Sequence, residues 1–215
     1  MDPVTSTSPV PRRPASAESS AERIRNAAMR CFSVHGTSAT SLRQVAAAAG
    51  VSVGLVQHHF GTKARLIEAV DNHVMAVIAA GLAAPANTAV TDPVGDFGHR
   101  VSSLIAQHTD VIDYLGRAFI EERDITSTLF DGLVAMGRAR WDDHKMQRLT
   151  RPDLDTTWAA LNPIILVLGA ILLRSHINRN LPEPFTTTTQ LARWEDSVNI
   201  LIREGQLPHR PDLPE

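Results

Sequence analysis

Residues 41–60 read Ser-Leu-Arg-Gln-Val-Ala-Ala-Ala-Ala-Gly-Val-Ser-Val-Gly-Leu-Val-Gln-His-His-Phe. The spacing predicts two short helices joined at Gly50. Leu42, Val45, Ala46 and Ala49 share one side of the first helix, and Ser41 with Gln44 has the spacing of a capping box. Ser52 is placed to cap the second helix. Ala46 is small enough for the two helices to cross closely, Gly50 accepts a left-handed turn, and Val45, Val51 and Val56 supply the wedge between them. Such a helix-turn-helix presents the N-terminal residues of its second helix to base edges in a major groove.

Outward from this unit the chain reads as all-α. Ile24, Ala27, Ala28, Cys31 and Phe32 follow helical spacing ahead of it; Ser19 and Glu22 form a capping box and Gly36 ends the run. Thr62 caps a long fourth helix carrying Leu66, Val70, Val74, Val77 and Ile78. After a loop over residues 83–91, helical patterns occupy about 93–109, 111–123, 126–148, 153–177 and 187–204, for about nine helices in total. The expected layout is a disordered tail over 1–20, a DNA-binding head over 21–66 and a larger helical effector-binding and dimerisation domain over 67–215.

Composition excludes several classes. Of 215 residues 43% are hydrophobic, enough for a buried core, and the single Cys31 excludes a disulfide framework, which fits a reducing cytoplasm. The first twenty residues lack the apolar run of a signal peptide. The longest apolar stretch, 163–173, is well short of the roughly 20 residues of a spanning helix, so no membrane partner is expected. Nucleotide-binding, zinc-protease and serine-hydrolase motifs are absent, adjacent helical residues such as His58 and His59 diverge too far to chelate one ion, and Asp142, Asp143 and His144 fit a solvated polar face. No cofactor, metal site or enzymatic activity is expected. The net charge of −2 hides a division: residues 21–66 carry six basic side chains against Glu22 alone, +5, whereas residues 67–215 carry −7. A basic head on an acidic body is the footprint of a protein that presents one end to a polyanion.

Residues 48–66, Ala-Ala-Gly-Val-Ser-Val-Gly-Leu-Val-Gln-His-His-Phe-Gly-Thr-Lys-Ala-Arg-Leu, closely resemble the DNA-binding signature of the TetR family of transcriptional regulators, as do Phe32, Gly36 and Thr40 ahead of them. The resemblance covers about residues 20–70. It implies a repressor that binds a palindromic operator as a homodimer and is released by a small-molecule effector, here of unknown identity. An architectural DNA-binding protein without an effector is the alternative. By the same resemblance Lys63 and the fourth helix's N-terminus contact a phosphate, as does His59, and Gln57 stands where the family usually has a Tyr touching phosphate through its hydroxyl.

The residues themselves suggest further contacts. Thr40 and Ser41 open the second helix and are placed to cap it and to bind phosphate. Ser52, Val53, Gly54 and Leu55 begin the recognition helix; Val53 and Leu55 face thymine methyls, and Gly54 lets the backbone approach the groove floor. His58 reaches either a base edge or a phosphate, and Arg43 either the backbone or a base. The family likeness puts the dimer interface on the last two long helices, with candidates Leu161, Ile165, Leu168, Leu172, Leu191, Trp194, Val198 and Leu201. It puts the effector among helices four to eight, with candidate lining His73, Phe97, Leu104, Tyr114, Phe119, Phe130, Met136 and Trp158, each equally readable as core. Arg117 and Arg140 are placed to pair either an acidic effector or Glu121 and Asp143.

Overall fold

A computed structural model describes residues 18–83 and 92–207. These residues form α1 (Ser20–Ala39), α2 (Leu42–Ala49), α3 (Val53–Phe60), α4 (Lys63–Leu82), α5 (Pro93–Gln107), α6 (Thr109–Ile120), α7 (Asp124–Met146), α8 (Thr156–Leu172), α9 (Arg174–Asn178) and α10 (Thr188–Gln206). No strand occurs among the described residues. The expected tail lies outside them except for its last three residues, which already serve α1. Glu18 accepts from the Asn26 side-chain amide at 2.6 Å, and Ser19 and Glu22 close the capping box.

One expectation is corrected. The single helix read over 153–177 is two, α8 and α9, which raises the count among the described residues from nine to ten. The break falls at Leu173, whose φ of −94° and ψ of 9° leave the helical region, and Arg174 immediately pairs with Asp113 of α6. Neither Gly nor Pro marks this break, and a tertiary ion pair follows it directly.

The core is continuous through the seam between head and body. Ile24, Phe32, Val45, Val56, Leu66, Val70 and Val74 are essentially inaccessible and pack in one cluster with Val111, Tyr114 and Leu115 of α6. Leu66, Val70, Val74 and Ile78 recur along one face of α4, so this helix is half head and half body. A second cluster joins α5, α6, α8 and α10 through Val101, Ile105, Ile112, Ala170 and Leu191, with Phe185 in edge contact with Trp194 at 5.5 Å between ring centroids.

Pro163 sits inside α8 and cannot donate to the carbonyl four residues back, that of Ala159. Gln206, at the end of α10, supplies the missing donor: its buried side-chain amide reaches the Ala159 carbonyl at 3.2 Å. Replacing Gln206 by Ala should therefore cost about 1–3 kcal/mol, because it strands a buried acceptor. In a Pro163→Ala background residue 163 regains its N–H, and the same replacement should cost well under half as much. Urea unfolding of the four proteins of this double-mutant cycle measures the difference.

Candidate nucleic-acid interface and body cavity

Local chemistry builds the head. Ser41 accepts from the Gln44 N–H at 3.3 Å while Gln44 Oε1 accepts from the Ser41 N–H at 2.7 Å, so α2 starts with both orphan donors satisfied. Gly50 closes α2 in the left-handed region, φ 65° and ψ 38°, and its N–H reaches the carbonyls of Ala46 and Ala47. Arg23 of α1 caps the same end by donating to the Ala49 carbonyl at 2.9 Å. Ser52 accepts from Leu55 N–H and Thr62 from Arg65 N–H, each at 3.2 Å, which starts α3 and α4. Val45, Ala46 and Val56 are buried in the angle between α2 and α3.

That packing fixes what α3 shows to solvent. Ser52, Gly54, Gln57, His58 and His59 are exposed, as are Ser41 and Arg43 at the start of α2. Val53 and Leu55 are half-buried, packed by one side against the core with the remainder open. Lys63 is also half-buried: its ammonium donates to the Ser38 carbonyl at 3.0 Å, which holds the charge at the junction of α1, α2 and the N-terminus of α4. A helix N-terminus carries about half a positive charge, so this corner presents three or so nearby positive sources to an anion. Thr40 behaves otherwise. It is 1% exposed and its hydroxyl donates inward to the Gly36 carbonyl at 2.8 Å, so its side chain fastens α1 to α2 and is turned away from solvent.

The body holds a half-open cavity of about 550 Å³ between α5, α7, α8 and α10, with Leu82 at the end of α4 in its wall. Of the residues read as effector lining, Phe97 and Met136 face it, and so does Arg140. The others lie elsewhere. Leu104 and Tyr114 are buried in the core shared with the head, and Phe119 packs on it. Tyr114 donates to Asp71 Oδ1 at 2.5 Å and accepts from Arg123, which pairs Asp71 Oδ2 at 2.7 Å; burial, reinforced by Asp71, pushes the phenol's pKa up. Arg117 pairs Glu121 at 2.9 Å, and His73 is half-buried on α4, where desolvation and then Arg25 lower its pKa. Phe130 is half-buried on α7 outside the cavity wall, and Trp158 lies on the outer face of α8.

The interface candidates divide as well. Leu191 is buried, and Trp194 and Val198 turn inward to line the cavity, whereas Ile165, Leu172 and Leu201 face solvent and Leu161 and Leu168 are half-buried. Trp158, Leu166 and Ile200 join the exposed ones, giving α8 and α10 one outward apolar face. Arg100, Trp141 and Ile202 line the cavity unforeseen, because their helical spacing is equally that of core residues. Among the described residues no group of His, Cys, Asp and Glu could hold a metal ion, and no helix is long and apolar enough to cross a membrane.

Comparison with known proteins agrees with this geometry. Residues 24–70 match the bacterial regulatory proteins of the tetR family. The HTH-type transcriptional regulatory protein RaaS of Mycobacterium tuberculosis is 30% identical over 158 residues, covering 74% of this chain and 72% of its own. A TetR family transcriptional regulator from Chloroflexus aurantiacus superimposes with a TM-score of 0.73 at 13% identity, over 91% of this chain and 96% of its own. NalD of Pseudomonas aeruginosa, the secondary repressor of a multidrug efflux pump, does so at 0.65 and 20%, over 89% and 98%. These two structures speak for the fold; the sequence matches carry the family. The chain belongs to the TetR family of bacterial transcriptional regulators.

Proposed function

We propose that this regulator is a homodimeric repressor that leaves a palindromic operator when a small organic molecule fills the body cavity. The observation that carries this reading is the course of α4. One helix of 20 residues begins with Lys63 beside the exposed edge of α3 and ends with Leu82 in the cavity wall. At 1.5 Å per residue it spans about 30 Å, so a displacement at its far end is delivered to the head. The outward apolar face of α8 and α10 supports pairing of two copies, which would set two recognition helices about 34–36 Å apart for successive major grooves. An occupant shifts this arrangement only by binding its two states with different affinity. NalD, of similar fold, is described as a repressor.

Selection of bound genomic fragments followed by footprinting tests the reading. The expected result is a palindrome whose occupancy falls steeply with salt and lowers transcription from the adjoining promoter. Binding without sequence preference would instead favour an architectural protein.

Gly54 offers a sharper check. A Cβ there would meet nothing nearer than Ser52 Oγ at 3.9 Å, so the fold has room for a side chain on the exposed start of α3. Gly54→Ala should stabilise the protein by about 0.5 kcal/mol. The same methyl would stand between α3 and the groove floor and should weaken operator binding about tenfold, the cost of roughly one base contact. Melting and gel-shift titration should thus move in opposite directions.

A further inference from the structure

The cavity wall is apolar except for a few groups, and these are unevenly paired. Arg100 of α5 pairs with Asp96 one turn earlier, and its Nε is buried without a partner. Glu195 of α10 accepts from the Ser102 hydroxyl and faces His99 Nδ1 at 3.7 Å. Of the charged groups in the wall, Arg140 of α7 alone has neither a hydrogen bond nor an ion pair from its guanidinium among the described residues. The ring of Phe97 lies beside it, its centroid 6.0 Å from the guanidinium carbon, and the Arg100 guanidinium carbon lies 5.6 Å from the same centroid. Asp96, already paired with Arg100, is the carboxylate whose charge reaches Arg140. Asp143, one turn on, accepts instead from the Gln147 amide at 2.8 Å and is exposed. The segment 84–91 that links α4 to α5 contains no acidic side chain.

We infer that the cavity takes a lipophilic organic anion, its acid group on Arg140 beside Arg100 and its hydrocarbon part among Leu133, Met136, Pro163 and Trp194. This deepens the effector reading proposed above and rests on it. Two guanidiniums at one aromatic ring repel each other, and an unpaired charge half out of water is costly; an anionic group relieves both. Burial and then the neighbouring Arg100 press the Arg140 pKa downward, against the opposing pull of Asp96. The volume suits a drug-sized or medium-chain molecule, since small-molecule sites occupy roughly 300–1,000 Å³.

The test compares four probes of one chain length below their micellar concentrations: laurate, dodecyl phosphate, dodecanol and dodecyltrimethylammonium. Calorimetry on the full-length protein without DNA reads affinity. Laurate or dodecyl phosphate should bind about 10- to 100-fold tighter than dodecanol, the gain of a charge-assisted bond, and the tighter of the two assigns a carboxylate or a phosphate ester. Arg140→Met should erase that preference without lowering the melting temperature, because it removes an unpaired charge. Arg140→Lys should keep most of the preference. Binding of both laurate and dodecyl phosphate no tighter than that of dodecanol, a preference that survives Arg140→Met, or tighter binding of the cation would overturn the inference. Operator release is scored separately by competition. Arg140-dependent binding that leaves DNA bound would refute the release reading and leave the ligand class standing.

Discussion

Arginine placed together at Ile165 and Leu201 is expected to yield a folded monomer whose operator affinity has fallen by at least about a thousandfold, the smaller end of the gap between specific and nonspecific binding. Both side chains point outward, at 50% and 59% exposure, so the monomer's interior is untouched and exposed substitutions of this kind change folding by about 0.5 kcal/mol or less. The apolar side chains around them, Trp158, Leu166, Leu172 and Ile200, form a patch of the kind that marks an interface. In a two-fold pairing each substitution occurs twice, so four new positive charges would be brought into one interface, more than Asp153 and Asp155 beside them are placed to offset without costly burial. A single head then retains only its phosphate contacts and one recognition helix. Sedimentation reports the oligomeric state, circular dichroism the fold, and footprinting the affinity. A doubly substituted protein that stays dimeric and protects its operator would show that this face pairs with nothing.

What could be read from the sequence was what is decided locally. Ser19, Ser41, Ser52 and Thr62 each cap the helix they precede, and Gly50 takes the left-handed turn required of it, because capping and turn chemistry involve residues three or four apart. The exposed edge of α3 followed from Val56 and Phe60, four apart: with both turned to the core His58 must point out, and Val53 and Leu55 are left partly open. Facing of the body helices could not be read in this way. On α10 the stripe Leu191, Trp194, Val198 and Leu201 looks like one face, yet the inward series continues to Ile202, and Leu201, about 100° away, looks outward. Helix α8 is apolar on nearly every side, so its spacing does not distinguish cavity from interface. Tyr114 and Phe97 are both aromatic residues on amphipathic helices; one became core and one cavity wall through contacts that include Asp71 for the first and Arg140 for the second, each 43 residues away in the chain. The Gln206 donor to Ala159 likewise spans a separation at which no local rule operates. The segmental charge proved more informative than the chain average, since +5 resides on the part that carries α3.

The seam between head and body supplies the second large effect: Gly36→Val is expected to destabilise the protein by about 3 kcal/mol or more, a large share of the 5–15 kcal/mol typical of a domain. Gly36 interrupts α1 with φ 81° and ψ 163°, a region open to glycine and closed to branched side chains at a cost of about 1–3 kcal/mol. A Cβ there would overlap Glu121 Oε1 and come within 2.9 Å of the Arg117 guanidinium. Those two side chains, at the end of α6, hold the seam: Arg117 donates to Glu121 at 2.9 Å, and the Thr37 hydroxyl donates to its other oxygen at 3.1 Å. Burial alone would raise the Glu121 pKa, but the bonds from Arg117 and Thr37 outweigh it and keep the carboxyl below its usual 4.5. Its contribution is therefore present above that pH and is lost as the pH falls through the depressed value. Backbone strain and overlap can be separated. Gly36→Ala in the wild type should suffer both, whereas Gly36→Ala combined with Glu121→Ala should, relative to Glu121→Ala alone, suffer chiefly the strain. Denaturant unfolding at neutral pH measures each. A Gly36→Ala protein within about 0.5 kcal/mol of wild type, the range of a neutral surface change, would show that α1 does not break here. A large loss confined to the Glu121 background would instead show that the glycine is kept for clearance of the α6 ion pair, the contact through which the body's last turn of α6 bears on the helix that carries the head.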